Sequence, residues 1–303
     1  MSAKSLLNII GLVTVGVVNC QNQWSFVCLH APISDMKPGY VEFLEVLRLA
    51  ELQLALAVFE REKSAPARLL EIGSGSGWQA KHFSEAGFDV SGIDIAQSAF
   101  AELRVWDVTD YDGHHIPFPD NEFDIIFSSN VLEHIAHVEE FQNEIKRVLK
   151  DDGIALHLLP TGTWRIWTNI SHYHFAASYA IQRLRLKFVS RFGTTETPVV
   201  GTGRDVTAEG WSTRAISPIE MIKSLIPPRH GEVGNAITEM YHFSKSKWQR
   251  LFRRTGWKIE KYSTNQLFYT GYMMFGDSWR LSFREKLSRI LGSSCHIFLL
   301  RKS

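Results

Sequence analysis

The chain has 303 residues but only three cysteines, Cys20, Cys28 and Cys295, and no two of them stand at C-x-x-C spacing. A disulfide framework and a cysteine zinc site are therefore not expected, and a reducing, cytoplasmic setting is. Long hydrophobic runs are also missing. The main apolar tract, Leu6 to Val18, is broken by Asn8, Gly11, Thr14 and Gly16, and a helix needs about 20 apolar residues to span a bilayer. It has the length of a signal-peptide core, yet Val17-Val18-Asn19-Cys20 offers no small-x-small cleavage site. A buried strand or docking segment is the first expectation for it, and contact with a membrane surface the second. There is no internal repeat, no low-complexity tract and no H-E-x-x-H or comparable spacing, so no metal ligand is expected.

What is present is a globular composition, 45% hydrophobic, 21% charged and 12% aromatic, which excludes a disordered or collagen-like chain. The net charge of +1 conceals two opposed halves. Residues 1–152 carry 11 Lys and Arg against 23 Asp and Glu, a net of −12, and residues 153–303 carry 22 against 9, a net of +13. Either the halves attract each other within one fold, or the C-terminal half meets an anion such as a phosphate, a lipid surface or a nucleic acid.

Residues 39–63 combine good helix formers with closely spaced apolar positions, which predicts a long, largely buried helix. The pattern then becomes α/β. Strands are expected at Arg68–Ile72, Phe88–Ile93, about Arg104–Val108, Phe123–Ser128 and Ile154–Leu159, with helices at about Trp78–Ala86 and Val138–Leu149. Such alternation predicts a parallel sheet with helices on both faces. After Pro160 the rhythm stops for about 80 residues rich in aromatics, His, Gly and Pro, then resumes with a helix at Lys245–Arg254 and strands at Trp257–Tyr262 and Cys295–Leu300.

The expected division is a helical N-terminal extension at 1–66, the cofactor-binding half at 67–160, an insertion after the fifth strand at 161–240, and the rest of the sheet at 241–303. Ligands of open α/β sheets sit outside the carboxyl ends of the strands. The insertion is therefore expected to be a substrate lid, with Trp164 and Trp167 as stacking platforms. Two segments look like basic amphipathic helices. One sets Trp279, Phe283, Leu287, Ile290 and Leu291 among Arg280, Arg284, Lys286 and Arg289; the other sets Ile181, Leu184, Phe188 and Phe192 among Arg183, Arg185, Lys187 and Arg191. Either they pack on the sheet or they lie on an anionic membrane.

The turn Glu71-Ile72-Gly73-Ser74-Gly75-Ser76-Gly77 stands between an expected strand and an expected helix, where glycine lets a ligand approach the backbone. A dinucleotide fingerprint would need glycine at position 78, which is Trp78. The turn is followed by Gly92-Ile93-Asp94-Ile95, by Asp112-Gly113 ahead of Ile116-Pro117-Phe118-Pro119-Asp120, and by Phe123-Asp124-Ile125-Ile126-Phe127-Ser128-Ser129-Asn130-Val131-Leu132-Glu133-His134. In that order over residues 68–160 these stretches resemble the class I S-adenosylmethionine-dependent methyltransferases. Residues 164–168 (Trp-Arg-Ile-Trp-Thr) and His230-Gly231-Glu232 resemble bacterial methyltransferases associated with cell-surface polysaccharides.

The resemblance implies a Rossmann-like sheet and S-adenosyl-L-methionine as cofactor. It places Asp94 on the ribose hydroxyls and Asp112 beside the adenine amino group, with Asp107 and Asp110 as alternatives. It sets Gly73, Ser74, Gly75 and Gly77 along the methionine and ribose, Glu71 near the ammonium group, Asn130 at the methionine end, and Ile95 and Gly113 beside the two acids. Transfer to a hydroxyl needs a general base. His134 is the first candidate, with His157, His172, His174, His230 and His242 as alternatives. The implied acceptor is a sugar hydroxyl of a surface glycan or its precursor, with a small metabolite or lipid as the alternative. Nucleic acid is not expected, because no RNA-binding module is visible. A nicotinamide-dependent oxidoreductase and a non-catalytic cofactor-binding protein are the competing classes.

Overall fold

The structure is a computed structural model that describes residues 40–63, 66–98, 100–192, 226–271 and 278–303. The apolar run at 6–18, Cys20, Cys28 and residues 193–225 of the insertion lie outside the described residues.

Seven strands form one sheet: β1 (Arg68–Ile72), β2 (Asp89–Ile95), β3 (Val108–Tyr111), β4 (Phe123–Ser129), β5 (Leu149–Pro160), β6 (Trp257–Thr264) and β7 (Cys295–Lys302). Their order is β3-β2-β1-β4-β5-β7-β6. Strands β3 to β5 pair in parallel, and the chain reverses direction across the sheet between β1 and β4. This bears out the Rossmann-like expectation with one correction. β7 enters antiparallel between β5 and β6, so the sheet is mixed.

Strand side chains alternate between faces. Leu70, Ile72 and Ile126 meet helix α3 (Val138–Val148) through Phe141 and Ile145, and helix α6 (Lys245–Arg254) through Trp248 and Phe252. Leu69, Ile125 and Phe127 meet helix α1 (Tyr40–Glu62) through Leu52, Ala55 and Phe59, and helix α2 (Trp78–Glu85) through Phe83. Helices thus cover both faces. The expectation that residues 39–63 are largely buried holds for one side of α1 only, since Val46, Leu49 and Leu54 face solvent.

Two boundaries differ for physical reasons. The third strand, expected at Arg104–Val108, begins only at Val108. The stretch before it is committed elsewhere: the Val105 amide donates to the Ser76 carbonyl at 2.8 Å, and Trp106 lies under Gly77. The insertion opens with a 31-residue helix, α4 (Gly162–Phe192); a helical rhythm is legible only in its second half, from Ile181, and not in its first turns. Its aromatic and β-branched residues have middling helix propensity, and tertiary contacts hold its first turns. Asn169 donates to the Ala236 carbonyl at 2.7 Å, and Trp167 Nε1 to the Leu291 carbonyl at 3.0 Å.

Helix α7 (Leu281–Leu291) turns a different side inward from the one its apolar residues suggest. Arg284 is buried and donates to the carbonyls of Trp279 and Phe268 at 3.0 Å each, whereas Ile290 is 82% exposed. The side chains of 182–192 lie outside the described residues. No helix among the described residues is long and apolar enough to cross a membrane.

Candidate active site

The reversal between β1 and β4 opens a crevice at the carboxyl ends of the strands, the place where open α/β sheets bind ligands. The glycine turn after β1 forms its floor. Gly73 has φ 70°, and a Cβ there would stand 2.3 Å from Val131 Cγ2, so only glycine lets the loop after β4 close over the turn. Beneath the turn Glu71 is buried and accepts from Ser74 Oγ at 2.6 Å. Burial pushes its carboxyl up to about 8. Glu71 is thus bonded to Ser74 inside the turn, away from open surface.

Asp94, in the register position facing Asp110 near the end of β2, is half-buried. One carboxylate oxygen accepts from the Gly75 amide at 2.9 Å and the other from its neighbour Ile95 at 2.8 Å. A carboxylate has about four acceptor positions, so two remain for a pair of hydroxyls. Asp112 follows β3 directly. Its Oδ1 accepts from the amides of His114 and His115 at 2.7 Å, and its Oδ2 pairs with His115 Nδ1 at 3.0 Å. Those bonds hold its carboxyl well below the usual range. Gly113 lies beside Ile95: a Cβ built on it would stand 3.6 Å from Ile95 Cγ2. Asp94, Ile95, Asp112 and Gly113 therefore share one edge of the crevice. Of the alternatives, Asp110 is bonded to Arg104 at 2.5 Å and Asp107 is exposed.

Asn130 caps β4 at φ 54°. Its amide donates to the Leu158 carbonyl at 2.8 Å, its Nδ2 to Ser129 Oγ at 3.2 Å, and its Oδ1 accepts from the Cys295 thiol at 3.5 Å. Burial holds that thiol protonated. Behind it stands a group that sequence reading missed. Glu51 of α1 accepts from Tyr269 at 2.7 Å, Asn265 at 2.8 Å and Arg48 at 2.7 Å, and Tyr269 contacts Cys295 at 3.0 Å. The N-terminal helix therefore walls the crevice from behind.

Just past Asn130, Glu133 and His134 form a single 3-10 turn, Leu132–His134. His230, from the far end of the insertion, comes to the same point, with its ring 4.8 Å from that of His134 and 4.7 Å from Trp164. Burial lowers His134 to about 4 and His230 to about 3, and raises Glu133 to about 7. Of the alternatives, His157 is bonded to Ser128 at 2.8 Å inside the sheet and His174 is exposed. Trp164 and Trp167 are not open stacking platforms. Trp164 is buried with Leu47, Phe243, Tyr269 and Cys295, and Trp167 bonds to α7 and stands edge-on to Phe268 at 5.7 Å.

Sheet order, glycine turn and carboxylate edge together define a class, the Rossmann-like fold of S-adenosylmethionine-dependent methyltransferases. Residues 70–157 match the family model described as "Methyltransferase domain". Among curated proteins, the biotin biosynthesis bifunctional protein BioHC of Cellvibrio japonicus is 35% identical over 116 residues, covering 35% of this chain and 23% of its own length. The uncharacterized methyltransferase YcgJ of Bacillus subtilis is 35% identical over 109 residues, 33% of this chain and 43% of its own. A ubiquinone biosynthesis O-methyltransferase of Rhodopseudomonas palustris is 24% identical over 158 residues, 47% and 58%. The solved structure of Bacillus subtilis YcgJ has 17% identity and a TM-score of 0.43, covering 82% of this chain and 98% of that one. This chain thus spans roughly a quarter to three fifths of the length of these curated relatives.

Proposed function

We propose that the protein transfers a methyl group from S-adenosylmethionine to a hydroxyl of a small acceptor, a sugar hydroxyl of a surface glycan or its precursor. The observation that carries this reading is Asp94. Its carboxylate is anchored to the Gly75 amide at the crevice floor and keeps acceptor positions for the two ribose hydroxyls. Asp112 and Gly113 would border the adenine, and Asn130 with Gly73, Gly75 and Gly77 the methionine end. Displacement at a sulfonium carbon rests mainly on positioning. A hydroxyl acceptor must also lose a proton, and the cluster of Glu133, His134 and His230 is where that proton is handled. His134 is neutral at pH 7 because burial holds it near 4, so it can accept a proton, though as a weak base.

The acceptor reading draws on the two stretches that resemble surface-polysaccharide methyltransferases, residues 164–168 and 230–232, which pack together beside this cluster. The printed names of two relatives, for biotin and ubiquinone biosynthesis, favour other small acceptors as the second reading. The outer side of α7, where Phe283, Ile290, Arg280, Lys286 and Arg289 are exposed, is the surface that would meet an anionic membrane carrying a lipid-linked acceptor. A turnover screen tests the function. Nucleotide sugars, glycans and phenolic metabolites are each incubated with the protein and S-adenosylmethionine, and S-adenosylhomocysteine is followed. Release that depends on a hydroxylated acceptor is expected; cofactor binding with no release from any acceptor would favour a non-catalytic binder.

A further inference from the structure

The side chains of Glu133, His134 and His230 meet although no sequence spacing announces them. One ligand atom from each lies within 4.8 Å of the others, and Glu133 Oε1 stands 3.8 Å from Nε2 of both histidines. With two edges of 3.8 Å and the third no longer than 4.8 Å, such a triangle surrounds a point about 2.2–2.5 Å from each corner, so a few tenths of an ångström of side-chain closure reach the bond length a divalent ion makes to imidazole and carboxylate. Glu133 is the independent sign. Its side chain is fully buried, and neither carboxylate oxygen has a hydrogen-bonding partner. Buried polar groups are ordinarily bonded, so such a carboxylate points to a missing ligand. Arg48, whose guanidinium is bonded to the buried Glu51 at 2.7 Å, stands near enough to act on Glu133 electrostatically but makes no hydrogen bond to either of its oxygens.

The surroundings are built to hold His230 in place. Arg165 of α4 and Glu239 of the short helix α5 (Glu239–His242) form a buried ion pair at 2.7 Å. Glu239 also accepts from the amides of His230 and Gly231, both at 2.7 Å, and Arg165 donates to the Pro228 carbonyl. The Glu232 amide donates to the Glu133 carbonyl at 2.9 Å. A Cβ on Gly231 would stand 2.7 Å from that carbonyl oxygen, so glycine alone permits this approach. Two clamps thus fix a distant histidine against Glu133.

The geometry points to a divalent metal site of Glu133, His134 and His230, at the acceptor end of the crevice, taking a borderline ion such as Zn2+, Mn2+ or Fe2+. Two imidazoles and one carboxylate suit these ions and disfavour Mg2+ and Ca2+, which prefer oxygen. Neutral imidazole and ionised carboxylate are the forms that ligate, so uptake of the ion would release any proton these groups carry. The inference deepens the proposed methyl transfer and rests on it for the role alone: His134 becomes a ligand, and the ion takes over the acidification of the acceptor. A hydroxyl bound to the ion loses its proton to water. The O–CH3 bond then forms as the S–CH3 bond breaks, with the electron pair staying on sulfur.

The experiment uses the full chain, stripped with chelator and titrated with Co2+ and Zn2+. Metal per chain is read by mass spectrometry, Co2+ coordination by visible absorption, and S-adenosylmethionine binding by calorimetry on the metal-free protein. One ion per chain is expected, with affinity reduced roughly tenfold or more in Glu133→Gln and in His230→Gln, and unchanged in His242→Ala. If one variant fails to fold by circular dichroism, His134→Gln replaces it. Absence of stoichiometric uptake by the folded wild type, or uptake unchanged in the folded ligand variants, overturns the site. Metal uptake without cofactor binding leaves the site standing and removes the methyltransferase reading; cofactor binding without metal does the reverse.

Discussion

Glu71 and Asp94 sit near the ends of the neighbouring strands β1 and β2 and serve one turn, and their opposite environments give each a separate test. Asp94 is half-exposed and anchored to Gly75. Asp94→Ala removes both ribose bonds, each worth about 1.5–3 kcal/mol when charge-assisted. Calorimetry should show S-adenosylmethionine binding weakened about a hundredfold or more; an affinity within a few-fold of wild type in a folded variant would refute the assignment. Glu71 is buried, and its carboxyl is raised from 4.5 to about 8. The folded chain therefore keeps a proton that the unfolded chain releases, and the associated stability is complete below about 4.5 and lost as pH rises through 8. Wild-type Tm should fall relative to Glu71→Gln across that window, while a constant difference between the two would contradict a protonated Glu71. The acids were legible because each lies within a local strand-turn pattern. The cluster at Glu133 was not, because Glu133 and His230 are far apart in sequence and meet only through the chain's return from the insertion, where the Glu232 amide bonds the Glu133 carbonyl and Glu239 holds His230.

At the scale of elements, the first half of α4 is the piece that sequence rhythm concealed. Among its described side chains, Trp164 packs with Leu47, Phe243, Tyr269 and Cys295 and Trp167 bonds to α7, so these first turns meet several elements and carry no single repeating face. The Arg165–Glu239 pair carries this docking. Arg165→Met leaves a buried, uncompensated carboxylate and should cost about 3–5 kcal/mol in chemical denaturation. Replacing both partners with apolar residues should recover part of that loss, and a loss under about 1 kcal/mol in the single variant would mean the clamp is incidental. Helix α7 shows the same limit of pattern reading from the other side. Its amphipathic spacing is real, but Arg284 finds backbone carbonyls inside and leaves Ile290 outside. If the exposed side meets membranes, the protein should sediment with anionic vesicles, less so at high salt, and less again with Arg280, Lys286 and Arg289 changed to Gln. Protein remaining in the supernatant at low salt would rule that contact out.

Across the whole molecule the opposed charges of the two halves are partly spent within the fold. Arg254 pairs with Glu139, Arg301 with Glu62 at 2.9 Å and Lys302 with Asp151 at 2.9 Å, each joining the basic half to the acidic one. Such exposed pairs contribute about 0–1 kcal/mol each, so they orient the sheet's last strands more than they stabilise them. The alternating strands and helices made the sheet legible, since period-2 and helical stretches followed one another from Arg68 to Leu159. The antiparallel entry of β7 was not legible, because strand direction depends on the path of the connection and not on the strand's own residues. That sheet sets the crevice between β1 and β4, on which the functional account depends. Its most direct test is a calorimetric titration of the full chain with S-adenosylmethionine, S-adenosylhomocysteine and NAD. The account predicts saturation at one S-adenosylmethionine per chain, competition by S-adenosylhomocysteine and no heat from NAD; saturation by NAD with none by S-adenosylmethionine would contradict it.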